Sequence, residues 1–506
     1  MGVTRPRRRN ARLVWRSQVH EFARVVFPPQ PPDFTTPEAM IRIKHSLPKS
    51  LAALLLSLAV AHPFSGATEA KAQGSGQQRV PIVRDAEIEA LVRDYARPIL
   101  KAAGLTKSGI DIILVNDERF NAFVAGRRMF INTGALLIAE SPNEIIGVIA
   151  HEAGHIAGGH QERLRDQLAR AQTMAVVASL LGIGATVAGA AADSRALAQA
   201  GGGIAIGGTE IARRGLLGYQ RTEETTADRS ALTYLERTGQ SAKGMLKTFQ
   251  RFASTLALSG ARIDPYQISH PMPRERIANL STLAEASPHY NKADSPDLQL
   301  RHDLARAKIA AHTQGAAAVS RLFRSDPRGL PATYGEAITA YLSGNPRNAM
   351  AKADRLVEAQ PRNPYFQELR GEIYMKANRP AQAAEAFGRA MQLDPARSGV
   401  LQVSYGQALL ATGKPANVEK AVTEIRKALD RDPENTVAYR FLAQAYGQLG
   451  RIGEAELATA EGHFHSGNNL EARVFAARAQ TRLKRGEPAW VRAQDIINNK
   501  PPKKKK

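Results

Sequence analysis

The chain of 506 residues contains no cysteine. That excludes a disulfide framework, thiolate metal sites, a cysteine nucleophile and a lipid-modified N-terminal Cys, so any bound metal must be held by His and carboxylate. Aromatic residues are sparse at 6%, while 43% of the chain is hydrophobic and small side chains abound. This profile suits close-packed helices better than a β-sandwich and argues against global disorder. Signatures of zinc fingers and RNA-binding modules are missing as well. The net charge of +22 is concentrated at the ends: residues 1–72 carry eleven Lys/Arg against four Asp/Glu, and the tail Lys500–Lys506 adds five lysines, which leaves +10 on the body. Nucleic acid is therefore not an expected partner. The length implies two or three domains.

The longest compact apolar run near the N-terminus, Leu51–Ala61, has eleven residues, too short for a membrane span. It follows Met40 and the basic residues Arg42, Lys44 and Lys49, and it precedes Ala70-Lys71-Ala72, an A-x-A cleavage pattern. These features read as a secretory signal cut before Gln73, with the natural start at Met40 and export to a bacterial periplasm.

Beyond a polar linker, Ile88, Leu91, Val92, Tyr95, Ile99 and Leu100 recur at helical spacing and predict a helix over 85–101. Strands are expected at Ile110–Val115 and Met129–Asn132, with a turn at Ala125–Arg128. Ser141-Pro142-Asn143-Glu144 reads as a capped helix start with a capping box, and that helix is expected to reach about Gln167. Met174–Ala192 is free of charge and rich in Ala and Gly, as is Gly201–Gly208; together they suggest a helical lid, with a membrane hairpin as the alternative. Further helices are expected over Tyr219–Thr238 and on to about Ser254. From about residue 330 a repeat takes over: Gly371, Tyr374, Ala383, Phe387, Ala390 and Pro395 have tetratricopeptide (TPR) spacing, and Pro361 precedes Pro395 by 34 residues. The expected fold class is mainly α: an α+β metallopeptidase domain followed by an all-α TPR solenoid.

The chemistry is carried by His151-Glu152-Ala153-Gly154-His155, an H-E-x-x-H pattern on a helix. Two His four apart share one face and can hold one zinc, and Glu152 can take a proton from water at the metal. A third protein ligand is needed, and three residues compete for the place. His160 falls five after His155, one short of the spacing that metzincins use, so it reads as support beside a ligand or as structure. Glu224 opens Glu224-Thr225-Thr226-Ala227-Asp228, and Asp228, one turn on, can hold a ligand His by its other nitrogen. Glu223 lacks a carboxylate at that spacing. His270-Pro271 supplies a His that can polarise the scissile carbonyl or stabilise the oxyanion, and Arg274 and Arg276 behind it can pair with acidic residues of the core.

This order of motifs, with Glu275-Arg276 after the His-Pro, resembles the family of zinc peptidases that includes the CAAX prenyl endopeptidases and the heat-shock membrane protease HtpX. Ile268 stands where relatives often carry Ser. The resemblance implies a gluzincin fold with one Zn2+ on His151, His155 and Glu224, and Glu152 as general base. It gives His270 either transition-state stabilisation or the open metal position at rest. Asn121, Phe123 and Ile131 would border the substrate cleft. With the export signal and the repeats, the chain is similar to periplasmic members of that family. Their partners would be misfolded or stalled outer-membrane proteins and, through the TPR domain, the outer-membrane assembly machinery; for this chain itself, peripheral membrane contact, as by the lysine tail, is left open. The implied layout is an N-terminal extension and signal peptide over 1–72 and a peptidase domain over 80–290 with its lid at 170–218. Connecting helices over 291–330, repeats over 331–495 and a basic tail over 496–506 follow. The rival readings are a chaperone or scaffold acting through the TPR surface, and an integral-membrane peptidase.

Overall fold

A computed structural model describes residues 81–191, 194–258, 270 and 274–499. The export signal, the flanking Ile268, Ser269 and Pro271, and the lysine tail lie outside the described residues.

A four-stranded sheet comprises β1 (Ile82–Val83), β2 (Asp111–Val115), β3 (Ala122–Ala125) and β4 (Arg128–Asn132) in the order β1-β2-β4-β3. β2 and β4 run parallel, and the other pairings are antiparallel. β3 is the strand the alternation of residues underplays. It returns through a two-residue turn into β4, with Ala125 opposite Arg128, and Gly126 takes φ 62° there, a left-handed conformation that glycine adopts at little cost. This places β3 at the sheet edge.

Helix α1 (Ala86–Ala102) buries Ile88, Leu91, Val92, Tyr95 and Ile99, the face that its periodicity marks, and Asp85 caps it by accepting from the Ile88 N–H. A short helix, α2 (Thr133–Ile138), leads to α3 (Pro142–Gly158), which is buried from Pro142 to His155. Two details of α3 depart from expectation. Ser141 occupies the N-cap without a side-chain bond, and Glu144 accepts instead from the Glu140 N–H at 3.1 Å while pairing with Lys247 and Arg251. The helix also stops at Gly158, because Gly159 turns left-handed at φ 64°. The run expected to reach Gln167 therefore belongs to a new helix, α4 (His160–Ala191), and α5 (Arg195–Arg237) packs along it as a hairpin. Of the two small-residue stretches expected as a lid, 174–191 and Gly201–Gly208 fall within these long helices, Ala192 lies outside the described residues, and the helix expected from Tyr219 is the far end of α5. None of the described helices is long and apolar enough to cross a membrane.

Helices α6 (Lys243–Leu258) and α7 (Arg274–Glu285) close the region around α3. Then come α8 (Pro296–Thr313), α9 (Ala316–Leu322) and five helix pairs: α10 (Leu330–Leu342) with α11 (Pro346–Ala359), α12 (Pro364–Lys376) with α13 (Pro380–Leu393), α14 (Gly399–Ala411) with α15 (Pro415–Arg431), α16 (Thr436–Gln448) with α17 (Ile452–His465), and α18 (Asn469–Gln480) with α19 (Pro488–Asn498). The TPR positions explain the pairing. Ala383 and Ala390 are fully buried, and a β-carbon on Gly371 would stand 2.8 Å from the Phe387 ring, so the large residue of one helix fills the gap left by the small one of its partner. The hydrophobic core is continuous from Ile88 in α1 through α8 to Ile373 in α12.

Candidate metal centre

His151 and His155 project from the same face of α3, one turn apart, and their Nε2 atoms face each other at 3.0 Å. Glu224, from α5, sets Oε2 3.3 Å from His151 Nε2 and Oε1 3.3 Å from His155 Nε2. The close approach of α5 depends on Gly154, between the two histidines: a β-carbon there would lie 2.9 Å from the Ala227 carbonyl oxygen. His270 enters from the segment before α7, with Nδ1 3.1 Å from both Glu224 oxygens and 3.3 Å from His151 Nε2. One ligand atom from each of these four buried residues lies within 4.8 Å of all the others. A carboxylate and three ring nitrogens converging on one point therefore fit a cation, and the absence of thiolate suits a site of the His/Glu type.

The surrounding groups hold these side chains in place. Asp228, four residues after Glu224, brings Oδ1 3.0 Å from His151 Nδ1. Arg276 of α7 donates to Asp228 at 2.5 and 2.8 Å and pairs with Glu224 at 2.9 Å, so one guanidinium fixes both carboxylates. On the other side, His160 Nδ1 lies 2.9 Å from His155 Nδ1, and its Nε2 lies 2.7 Å from Glu223. Glu223 also pairs with Arg163 at 2.7 Å. Glu223 therefore stands outside the group of converging atoms and supports it through His160. Arg274 is exposed, so of the two arginines only Arg276 reaches these acids.

Glu152 is almost fully buried, and its Oε1 lies 3.3 Å from His270 Nε2. Burial pushes its carboxyl up to about 7, against the pull of His155 and His151. Burial acts downwards on His151, but hydrogen bonds to Asp228 and Glu224 prevail and raise it to about 9. Glu224 is the reverse case: burial acts upwards, and His270, His151 and His155 hold it well below the usual carboxylate range.

Of the three expected cleft residues, Asn121 and Phe123 are half-buried, and the Phe123 ring stacks on Phe130 at 4.8 Å. Ile131 differs: at 1% exposure its side chain belongs to the core, because it faces inward on β4 between two neighbouring strands. The edge of β3 is engaged by Gln161, whose side chain donates to the Val124 carbonyl and accepts from the Gly126 N–H at 3.0 Å. Spacing along the chain does not reveal this contact, because it depends on the break at Gly159 that redirects α4.

Residues 83–284 match the profile of peptidase family M48, and residues 356–459 match the cytochrome c-type biogenesis protein H TPR domain. The chain is a metalloprotease that joins a family M48 peptidase domain to a helical TPR domain. It is similar to the putative beta-barrel assembly-enhancing protease of Vibrio cholerae, with 26% identity over 81% of this chain and 84% of that one. The beta-barrel assembly-enhancing protease of Escherichia coli K12 shares 23% identity over 80% of this chain and 81% of its own length. Metalloprotease YcaL of the same organism is 34% identical over 27% of this chain and 48% of that protein.

Proposed function

We propose that the chain is a zinc endopeptidase of the periplasm that hydrolyses misfolded or stalled outer-membrane proteins, with its TPR helices holding the substrate or the machinery that assembles it. The observation that carries the reading is the convergence of His151, His155 and Glu224 beside Glu152. The names of the relatives, which couple a protease to β-barrel assembly, support the substrate class. Export rests on the signal over Met40–Ala72, and N-terminal sequencing of the periplasmic protein is expected to start near Gln73. Residues 80–290 are assigned to the peptidase domain, 291–330 to connecting helices and 331–495 to the repeats.

In this reading His151, His155 and Glu224 hold the zinc, which when bound supplies Lewis-acid polarisation of the scissile carbonyl. Glu152 accepts a proton from the attacking water and returns it to the leaving amine. Asp228 fixes the tautomer of His151, and His160, held by Glu223, orients His155. Asn121 and Phe123 border the bound peptide along β3. His270 stands with one nitrogen against Glu224 and the other against Glu152, where it either occupies the open metal position at rest or stabilises the oxyanion during reaction.

The test is a Glu152→Gln chain expressed in its native host and crosslinked. It is expected to retain outer-membrane β-barrel proteins that the unaltered chain degrades. Failure of the unaltered chain to cleave an unfolded β-barrel protein, with zinc bound, would overturn the substrate assignment.

A further inference from the structure

Along its described residues, α4 has a distribution of side chains opposite to that of a helix in a water-soluble pair. Along α4 the small residues Ala171, Ala175, Ala178 and Ser179 are half-buried, whereas Met174, Val176, Val177, Leu180 and Leu181 are 49–64% exposed. At about 100° per residue these five large side chains cover an arc of roughly 160° on the solvent side and rise over about 10 Å. A helix pair in water buries its large apolar residues and exposes its polar ones. Small residues between the helices and large ones outside is the pattern that a lipid environment selects.

Charge is distributed to match. Residues 171–191 of α4 and 196–209 of α5 contain no Asp, Glu, Lys or Arg. On α5 the charges resume with Glu210 and Arg213 ahead of the exposed Arg214, and on α4 they resume at the exposed Arg170; exposed Arg221 and, on α4, Asp166 and Arg165 lie further from the strip. The face thus has an apolar strip with arginines at its margin, at the level where phosphates would lie if the strip rested on a bilayer. The same helices cannot carry the chain across, because none of the described helices is long and apolar enough.

We propose that this hairpin is a monotopic membrane contact, which lays the Met174–Leu181 face into one leaflet of an anionic phospholipid bilayer with Arg170 and Arg214 at the headgroups. The proposal rests on the hairpin alone and holds whichever substrate the peptidase cleaves. α4 and α5 also carry His160, Glu223 and Glu224, so a chain docked this way would present its metal centre at a fixed height above the bilayer.

The absence of cysteine makes a direct test available. A Leu180→Cys chain labelled with an environment-sensitive fluorophore is mixed with vesicles of phosphatidylglycerol and phosphatidylethanolamine. The expected result is a blue shift of the emission and quenching by brominated acyl chains. Flotation of a Val177→Asp/Leu180→Asp/Leu181→Asp chain on the same vesicles should fall at least tenfold, with unchanged circular dichroism. Phosphatidylcholine vesicles should bind the unaltered chain more weakly. A label that stays in water while the chain floats would assign binding to another segment, such as the lysine tail, and would overturn the proposal. So would a triple variant that floats normally but loses self-association or the capture of unfolded protein, because the face would then serve protein contact.

Discussion

His270 is the residue whose role a single substitution separates most sharply. Its Nδ1 lies among the ligand atoms at 3.1 Å from Glu224, and its Nε2 faces the base Glu152 at 3.3 Å. Catalytic zinc sites keep one position open, and a side chain at that position at rest excludes water. His270→Ala is therefore expected to raise peptide hydrolysis severalfold while zinc remains at one per chain. A loss of turnover of about 10²-fold with zinc retained would instead place His270 on the oxyanion. Four residues of this cluster were legible because their chemistry constrains spacing: His151 and His155 must share a helical face, and Glu224 and Asp228 must as well. The supporting pairs were less so. Glu223 is adjacent to Glu224 and of the same residue type, but adjacent residues on a helix face different ways, and Glu223 turns to His160 and Arg163.

At the scale of the element, packing between paired helices sets both what could be read and what can be tested. The TPR helices were legible because small and large residues alternate at fixed positions. The end of α3 was not, because the sequence around Gly158-Gly159-His160 keeps its helical periodicity, and only the left-handed Gly159 breaks it. β1 has two residues and no pattern to detect. Gly371→Ala should test the repeat geometry. Alanine gains up to about 1 kcal/mol in helix propensity, but its β-carbon would meet the buried Phe387 ring at 2.8 Å, an overpacking that costs about 1–3 kcal/mol. The urea midpoint of the chain is expected to fall, and a rise would show that α12 and α13 pack with more slack than the structure has.

Across the whole molecule, the peptidase region and the repeats meet through buried charge. Lys308 of α8 lies 2.7 Å from Asp85, 3.5 Å from Glu87 at the start of α1 and 3.5 Å from Glu368 of α12, and Tyr334 of α10 donates to Glu87 at 2.8 Å. Burial raises Glu368 above the usual carboxylate range. Lys308 opposes that rise, while Asp85, Glu372 and Glu87 add to it. The folded chain thus keeps a proton that the unfolded chain releases, so this group's contribution to stability declines as pH rises above the ordinary carboxylate value. Glu368→Gln imitates the protonated form. Its melting temperature relative to the unaltered chain is expected to increase from pH 5 to pH 8, and a constant difference would show that Glu368 is ionised throughout. None of this junction was legible from the sequence, since it joins residues 60 to 247 positions apart that share no motif. The metal centre remains the claim on which the account of the protein depends, and elemental analysis of the purified chain tests it most directly. One zinc per chain is predicted, lost in His151→Ala and in Glu224→Ala and kept in His160→Ala; stoichiometric zinc in Glu224→Ala would contradict the assignment of the third ligand.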